Sequence, residues 1–495
     1  MNFNIHIMYK NLKELAFVNP FSEKRIQLEK LILKNEYQHE DYSWHIGMNQ
    51  VGKRRNVELI HDILKSQVLK LSKETLHLNT LTEEQINTYQ TIVNFYIYYE
   101  CSDLFEAAIL SEDLIEHTKK INGAYELFNS NCSTFFKHKQ LKLTTLDKNH
   151  LFACFWQIRR AFHFILHGLA GRSKKAIQLR ETIWQSVLTH DMNQYKNHLY
   201  KHMPHIPSLI LGPSGSGKEI VANCIGLSRY IPFRNESFHS HFKDHYQAIN
   251  VSSFSESLIE SELFGHAKGA FTGATQDKTS WFGSSHQNGS TFIDEIGELN
   301  ETIQVKLLRV LQTRSFYKVG SQKEETFHGK LIFATHQNLN NLINEGKFRE
   351  DFYYRICADQ IQTPSLHELI ENDKENLNDI LLYVLQNTFN IKSSHLIEEL
   401  CSWIIDNLGL SYSWSGNFRE LEQCVRNFFI RKNYTPHTRE INQENWIDLL
   451  KENNLSLDQL NYHYIKQAYD LLGSYEAVSQ KLKIDRRTVK AKLSL

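Results

Sequence analysis

Nothing in this 495-residue chain is apolar for long enough to cross a membrane as a helix. The longest such run, about Ile92 to Tyr99, falls far short of the roughly 20 residues a span needs. The start, Met1 to Lys10, lacks the basic-then-apolar layout of a secretory signal. These two absences predict a cytoplasmic protein without membrane contact. The seven cysteines contain no C-x-x-C pair, which excludes the usual zinc spacing and a disulfide scaffold and leaves reduced, buried thiols. No H-E-x-x-H occurs among the histidines, and local pairs such as His239 and His241 read as surface loop. Net charge is zero, so any nucleic-acid contact must come from a local patch and not from bulk charge. Internal repeats and long low-complexity segments are also missing.

The length suggests about three domains. Residues 1–165 have long spans without Gly or Pro, and Val57 to Leu71 and Glu83 to Glu100 place apolar residues at three- and four-residue spacing, which predicts helix. From about Gly168 to Pro364 short apolar runs alternate with helical patterns, the signature of a parallel α/β sheet. The expected strands are Ser208 to Leu211, Gln247 to Val251, Thr291 to Ile293, Lys330 to Thr335 and Ile356 to Ile361. Residues 365–435 read as helical, 436–461 as a polar linker, and 462–495 as a compact helical unit.

Gly212-Pro-Ser-Gly215-Ser216-Gly217-Lys218-Glu219 follows an apolar strand and opens a helix, as a Walker A loop does. Glycines let backbone N–H groups fold around phosphate oxygens, Lys218 is positioned for the β- and γ-phosphates, and the helix start adds its positive dipole end. Glu219 stands where the general motif has a Mg²⁺-holding Ser or Thr. Gly289-Ser-Thr-Phe-Ile-Asp294-Glu295 reads as Walker B: Asp294 to hold Mg²⁺ and Glu295 to act as general base on the attacking water. The bland alternative has both acids only capping the next helix.

Between these halves lies Gly269-Ala270-Phe271-Thr272-Gly273-Ala274, flanked by a helical Glu256 to Phe264 and a polar Thr275 to Ser280. No core is built from such a stretch; it suits a mobile loop presenting Phe271 and Thr272. Together with Glu262-Leu263-Phe264-Gly265-His266-Ala267-Lys268, it resembles the partner-contacting loop of the sigma-54-dependent transcription activators, a branch of the AAA+ ATPases. The resemblance covers about Gly168 to Leu495. It implies an α/β AAA+ P-loop core, residues 166–364, a helical lid, residues 365–435, a mostly helical regulatory domain, residues 1–165, and a C-terminal helix-turn-helix, residues 462–495. Glu219 after the Walker lysine is itself a family feature.

The same resemblance assigns roles position by position. Asn250 matches the residue that holds the catalytic Glu out of line, and Thr335 matches the γ-phosphate sensor. Arg349 and Arg355, within Phe348-Arg-Glu-Asp-Phe-Tyr-Tyr-Arg355, match arginine fingers acting on a neighbouring subunit, which implies a ring of six or seven chains. Arg419, within Trp414-Ser-Gly-Asn-Phe-Arg-Glu-Leu421, matches the lid sensor of the nucleotide. The implied ligands are ATP and Mg²⁺, and the implied partners are sigma-54 RNA polymerase and double-stranded upstream DNA. Two departures stand out: Thr363-Pro-Ser-Leu-His-Glu-Leu369 replaces the family's Pro-Pro-Leu-Arg run, and Arg229 to Tyr246 is longer than usual.

In the last unit, Ala477, Val478, Leu482, Ile484, Val489 and Leu493 are spaced to pack two short helices, with Asp485 capping the second. Arg486, Arg487, Thr488, Lys490 and Lys492 crowd that helix, and from Tyr462 onward seven basic residues outnumber three acidic ones. This is the local patch that zero net charge concealed, and the unit resembles a Fis-type DNA-binding domain. The N-terminal zone shows no receiver pattern, arguing against control by a partner kinase. Its Arg159-Arg160 pair beside aromatics suits either a ligand or a helix end packed on a neighbour. Two rival functions stay open: an AAA+ machine with another client protein, and a DNA-binding regulator that uses ATP only to assemble.

Overall fold

The computed structural model describes residues 3–38, 44, 55–436, 450 and 455–493. It divides into two compact units, residues 1–426 and 427–495. Most of the expected linker, 436–461, lies outside the described residues. Among the described residues no helix is long and apolar enough to cross a membrane, and all seven cysteines are free, six of them buried.

The first unit opens with helices α1 (Phe3–Phe17), α2 (Glu23–Leu33), α3 (Arg55–Leu76), α4 (Glu83–Leu110), α5 (Leu114–Phe135), α6 (Thr145–Gly168), α7 (Lys174–Leu188) and α8 (Met192–Asn197). The Gly-free and Pro-free periodic segments thus extend further than their most regular stretches, because capping residues set the ends. Thr82 and Thr144 begin α4 and α6 through reciprocal capping boxes with Gln85 and Asp147. Ile92, Tyr96, Phe105, Phe128, Phe152 and Trp156 form the centre of this bundle.

The α/β core holds five parallel strands, β1 (Ser208–Leu211), β2 (Tyr246–Asn250), β3 (Ser290–Asp294), β6 (Lys330–Thr335) and β7 (Asp359–Gln362), in the order β2-β3-β6-β1-β7. A short antiparallel hairpin, β4 (Ser315–Tyr317) with β5 (Glu324–Thr326), stands apart. Helices α9 (Lys218–Gly226), α10 (Glu256–Phe264), α11 (Trp281–Ser284), α12 (Glu301–Thr313), α13 (Leu339–Asn344) and α14 (Glu350–Ile356) complete the core. Covered on both faces, the central strands carry the near-continuous apolar runs that parallel sheets require: Ile210, Phe292 and Ile332 meet α6, α7 and α9 on one side, and Leu209, Ile293 and Phe333 meet α12 and α14 on the other.

Two strand expectations are corrected. The fifth strand begins at Asp359 and not at Ile356, because Ile356 is one helical turn from Phe352 and both are fully buried on the same side of α14. The second strand ends at Asn250, and Val251 starts a 3-10 turn. The hairpin β4–β5 was not expected; three residues per strand are too few to show a period.

Lys330 is a buried cation at the start of β6. It is 1% exposed and donates to the Ile206 carbonyl at 2.5 Å. Burial lowers its ammonium to about 7, with Asp359 pulling it back up. In the unfolded chain it titrates near the ordinary lysine value, so between those limits the unfolded state holds a proton the folded state lacks, and stability rises with pH. Below pH 7 the burial penalty is present in full. Lys330→Met is therefore expected to stabilise the protein by on the order of a few kcal/mol near pH 6.5 and by much less near pH 9.5. Urea unfolding of both proteins at the two pH values checks this; an equal gain at both would exclude a charged-lysine penalty.

The lid follows as α15 (Leu366–Ile370), α16 (Lys374–Phe389), α17 (Ser394–Asn407) and α18 (Asn417–Arg431). The unusual 363–369 run makes an ordinary connection: Ser365 caps α15 in a reciprocal box with Glu368. The longer Arg229 to Tyr246 segment has a definite place too. Its Ile231, Phe233 and Phe242 enter the core of the N-terminal bundle. Arg160, 1% exposed, donates to the carbonyls of Leu227 and Arg229 at 2.7 and 2.6 Å. Half of the Arg159-Arg160 pair is thus a helix-to-neighbour clamp. Arg172 adds a bidentate pair to Asp379 of α16 at 2.6 and 2.8 Å, so the bundle is tied to both the sheet and the lid.

Beyond the end of α18, the described residues of the second unit include helices Leu457–Leu472, Tyr475–Leu482 and Arg486–Leu493, packed around Ile465, Ala468, Val478 and Val489.

Candidate functional site

The strand register brings distant residues to one edge of the sheet. Asn250 pairs with Asp294, Ile293 with Phe333, and Leu211 with Thr335. The C-terminal ends of β2, β3, β6 and β1 therefore deliver Asn250, Asp294, Thr335 and the loop starting at Gly212 along one line. In open α/β sheets this is where ligands bind.

The loop itself is shaped by its glycines. Gly217 lies in the left-handed region at φ 89° and caps α9. A Cβ on Gly212 would fall 2.0 Å from Thr363 Oγ1, and one on Gly215 2.5 Å from the Gly416 carbonyl. Both contacts exclude any other residue. Ser216 Oγ bonds to the Pro213 carbonyl at 2.8 Å and to Thr363 Oγ1 at 2.7 Å. Lys218 Nζ donates to the carbonyls of Gly212 and Pro213 at 3.0 and 3.2 Å. Burial lowers its ammonium, opposed by the charges of Glu295 and Asp294. Glu219 is exposed on the first turn of α9.

The lid reaches this loop directly. Phe418 N donates to the Gly215 carbonyl at 3.1 Å, Asn417 Nδ2 to the Ser214 carbonyl at 2.9 Å, and Arg419 Nη1 to Ser214 Oγ at 3.3 Å. Asn417 also accepts from Leu366 N at 2.8 Å, bridging loop and lid. Its φ of 53° is a left-handed conformation that Asn tolerates better than most residues. Of these lid residues, the sequence pointed to Arg419 alone; the Asn that follows Gly416 was the available signal.

Across the cleft, Glu295 also sits in the left-handed region, at φ 58°. Its N–H donates to Asp294 Oδ1 at 3.0 Å. Burial and then the neighbouring Glu295 charge push the Asp294 carboxyl upward. A site whose paired carboxylates are only partly offset by Lys218, and with glycine turns where Cβ atoms would clash, fits a cation and a phosphate chain. The expectation that Asn250 holds Glu295 is not what the structure shows. Asn250 Nδ2 reaches Asp294 Oδ2 at 3.4 Å, while Glu295 Oε2 pairs with His336 Nδ1 at 2.7 Å. His336 was missed; it directly follows Thr335, whose Oγ1 is occupied by Gln337 N at 3.1 Å.

Arg349 and Arg355 occupy the two ends of α14. Arg349 is held at its N-terminus by Asp351 at 3.0 Å and Glu301 at 2.8 Å. Arg355 is exposed in the last turn.

The 269–274 stretch is a closed turn. Gly269 N donates to the Ala274 carbonyl at 2.8 Å and Ala274 N to that of Phe271 at 3.0 Å. Gly269 and Gly273 have φ of 81° and 105° and open space around them. Phe271 is 42% exposed, resting on the His266 ring; Thr272 is exposed, and Ala270 abuts Gly320 of the β4–β5 connection. The hairpin braces the base of the turn, where Ala267 N donates to the Val319 carbonyl at 2.9 Å.

In the second unit Asp485 Oδ1 accepts from Arg487 N at 2.7 Å, capping the last helix. Arg487, Thr488 and Lys490 are exposed; Arg486 pairs with Glu476 at 3.1 Å and Lys492 with Asp458 at 2.6 Å. Ala477 is only half-buried, and Ile465 and Ala468 of the preceding helix supply the packing instead.

Residues 185–362 match the family model described as Sigma-54 interaction domain. The chain is 39% identical over 224 residues to the DNA-binding transcriptional regulator NtrC of Proteus hauseri, a match covering 45% of this chain and 43% of that protein. It is 41% identical over 232 residues to the sigma54-dependent transcriptional activator SfnR of Pseudomonas putida, covering 46% and 58%. The chain thus spans about half the length of these relatives. Among solved structures, NtrX from Brucella abortus in complex with ATP overlaps 68% of this chain and 72% of its own, at 22% identity and a TM-score of 0.40. Residues 185–362 thus carry a sigma-54 interaction domain, and over that region the chain is similar to sigma-54-dependent transcription activators.

Proposed function

We propose that the protein is an ATPase that activates sigma-54 RNA polymerase, binding upstream DNA and using ATP hydrolysis to remodel the closed promoter complex into the open one. The observation that carries this reading is the convergence of Gly212–Lys218, Asp294, Glu295, Thr335 and Arg419 on one cleft, in a domain that also carries the exposed 269–274 turn. Lys218 would exchange its two carbonyl acceptors for phosphate oxygens. Asp294 would hold Mg²⁺, which neutralises charge developing on the phosphates. Glu295 would orient the attacking water and accept its proton, once freed from His336. Arg419 would report nucleotide from the lid, and Arg349 and Arg355 would act on the neighbouring subunit of a six- or seven-membered ring. Such a ring works in the cytoplasm, on DNA gripped by Arg487, Thr488 and Lys490, with Arg486 and Lys492 alongside.

The 269–274 turn would be the working contact with sigma-54. Thr272→Ala leaves the phosphate cleft untouched. Expected is ATP turnover within about twofold of the parent, as for a surface change away from any network, with open-complex formation lost. Turnover and open-complex formation measured side by side check it. Normal promoter opening would shift the reading to a remodelling machine with a different client.

A further inference from the structure

The N-terminal bundle holds a partly open cavity of about 700 Å³, lined among others by Tyr98, Tyr99, Phe162 and Trp184. Its wall holds three potential metal ligands that no role described above uses. His163 and His167 are four residues apart on α6, so their side chains lie one above the other on one face. Their rings are 4.6 Å apart between centroids. Glu106 of α4 faces both: its Oε1 is 2.7 Å from His163 Nδ1 and 4.0 Å from His167 Nε2. One donor atom from each residue falls within 4.8 Å of the others. Donor atoms around a single ion at bond lengths of ~2.1 Å sit roughly 3.0–3.5 Å apart, so small side-chain rotations bring all three onto one centre.

The surroundings suit that use. Arg159 Nε donates to the other oxygen of Glu106 at 2.9 Å, fixing the carboxylate plane and leaving Oε1 toward the histidines. Ligating carboxylates in metal sites are commonly held by such an outer partner. Arg159 is in turn held over the Phe162 ring, at 5.6 Å. The three ligands come from two helices of a rigid bundle, and all three line the cavity. Coordination positions they do not fill would therefore open into it.

We propose that Glu106, His163 and His167 bind one divalent first-row transition-metal ion whose remaining coordination positions face the cavity. Two imidazoles and a carboxylate suit iron(II), cobalt(II) or zinc(II) far better than calcium or magnesium. The site is well placed as an input. The same cavity is walled by Trp184 and Leu188 of α7 and by Met192 of α8. Helix α7 in turn touches the sheet, through Ser186 Oγ to Asp359 at 2.9 Å. A ligand completing the metal's coordination would thus press on elements attached to β7.

The test uses the full chain, stripped with a chelator and titrated with cobalt(II), which reports its own coordination by ligand-field absorption. Expected is one cobalt per chain with a band of low-symmetry nitrogen and oxygen coordination. His163→Ala and His167→Ala should each weaken binding by more than the 10- to 100-fold typical of losing an outer-shell partner. His61→Ala is the control. It removes another cavity histidine, paired with Glu100 at 2.9 Å, and should leave the band unchanged. Glu106→Gln, with the fold checked by circular dichroism, covers the case in which a histidine variant fails to fold. The absence of a band in the folded parent protein, or a band insensitive to both histidine substitutions, or one equally lost in His61→Ala, overturns the proposal and leaves Glu106, Arg159 and His163 as an ion-pair network. ATP turnover enters none of these readouts, so the result stands apart from the ATPase reading.

Discussion

Arg355→Ala is expected to reduce ATP turnover by about 10³- to 10⁵-fold, the range over which arginine fingers act, while ATP binding is retained. Arg355 lies exposed in the last turn of α14, and the Gly212–Lys218 loop of its own chain connects β1 and α9. A finger that serves the next subunit has this character: well placed on a rigid helix, with solvent around its head in the single chain. Arg349 is expected to behave in the same direction, although it must first exchange Asp351 and Glu301 for phosphate. The decisive measurement is complementation. Arg355→Ala subunits mixed with Lys218→Ala subunits place a good finger beside a good phosphate loop at some interfaces. The mixture should therefore turn over ATP faster than either protein alone at equal total concentration. A mixture that assembles yet stays inactive would rule out action in trans.

Local chemistry decided what could be read from the sequence. The strands Ser208–Leu211 and Lys330–Thr335 were delimited correctly because they are buried on both faces and their apolar runs end sharply. Helix Glu256–Phe264 was bounded by Ser255 before it and a positive-φ Gly265 after it, both visible as letters. What stayed hidden depends on tertiary partners. Ile356 has a strand-former's side chain, yet its place beside Phe352 makes it helical. The Arg229 to Tyr246 segment stood out only as longer than usual, and the packed bundle shows that Phe233 and Phe242 belong to another domain's core. The cleft residues were legible as motifs; their partners were not. His336 and Asn417 act through hydrogen bonds to residues far away in sequence, 41 positions for His336 to Glu295 and 203 for Asn417 to Ser214. The Glu106, His163 and His167 cluster escaped for the same reason: a histidine pair at helical spacing is common, and the carboxylate that gives it meaning comes from another helix.

Glu295→Gln is expected to lower ATP turnover by about 10²- to 10⁴-fold, the contribution of a positioned general base. Nucleotide binding should survive, because Lys218, the glycine loop and Asp294 are untouched. The amide keeps the size of the side chain and can still meet His336, but it cannot take a proton from water. The backbone at Glu295 sharpens the expectation. A left-handed φ of 58° at a non-glycine residue costs of order 1 kcal/mol or more, and here the carboxylate meets His336. Gln should hold that conformation as well as Glu does, so loss of turnover cannot be assigned to a collapsed turn. Steady-state turnover and equilibrium binding of a fluorescent ATP analogue separate the two effects. Near-normal turnover would remove Glu295 from the chemistry. The companion His336→Ala tests what the 2.7 Å contact is for. If the contact restrains an idle base, its removal should raise basal turnover in the protein that retains Glu295 and do nothing in Glu295→Gln. A fall in turnover in the parent background would instead make His336 a positioning residue for the base.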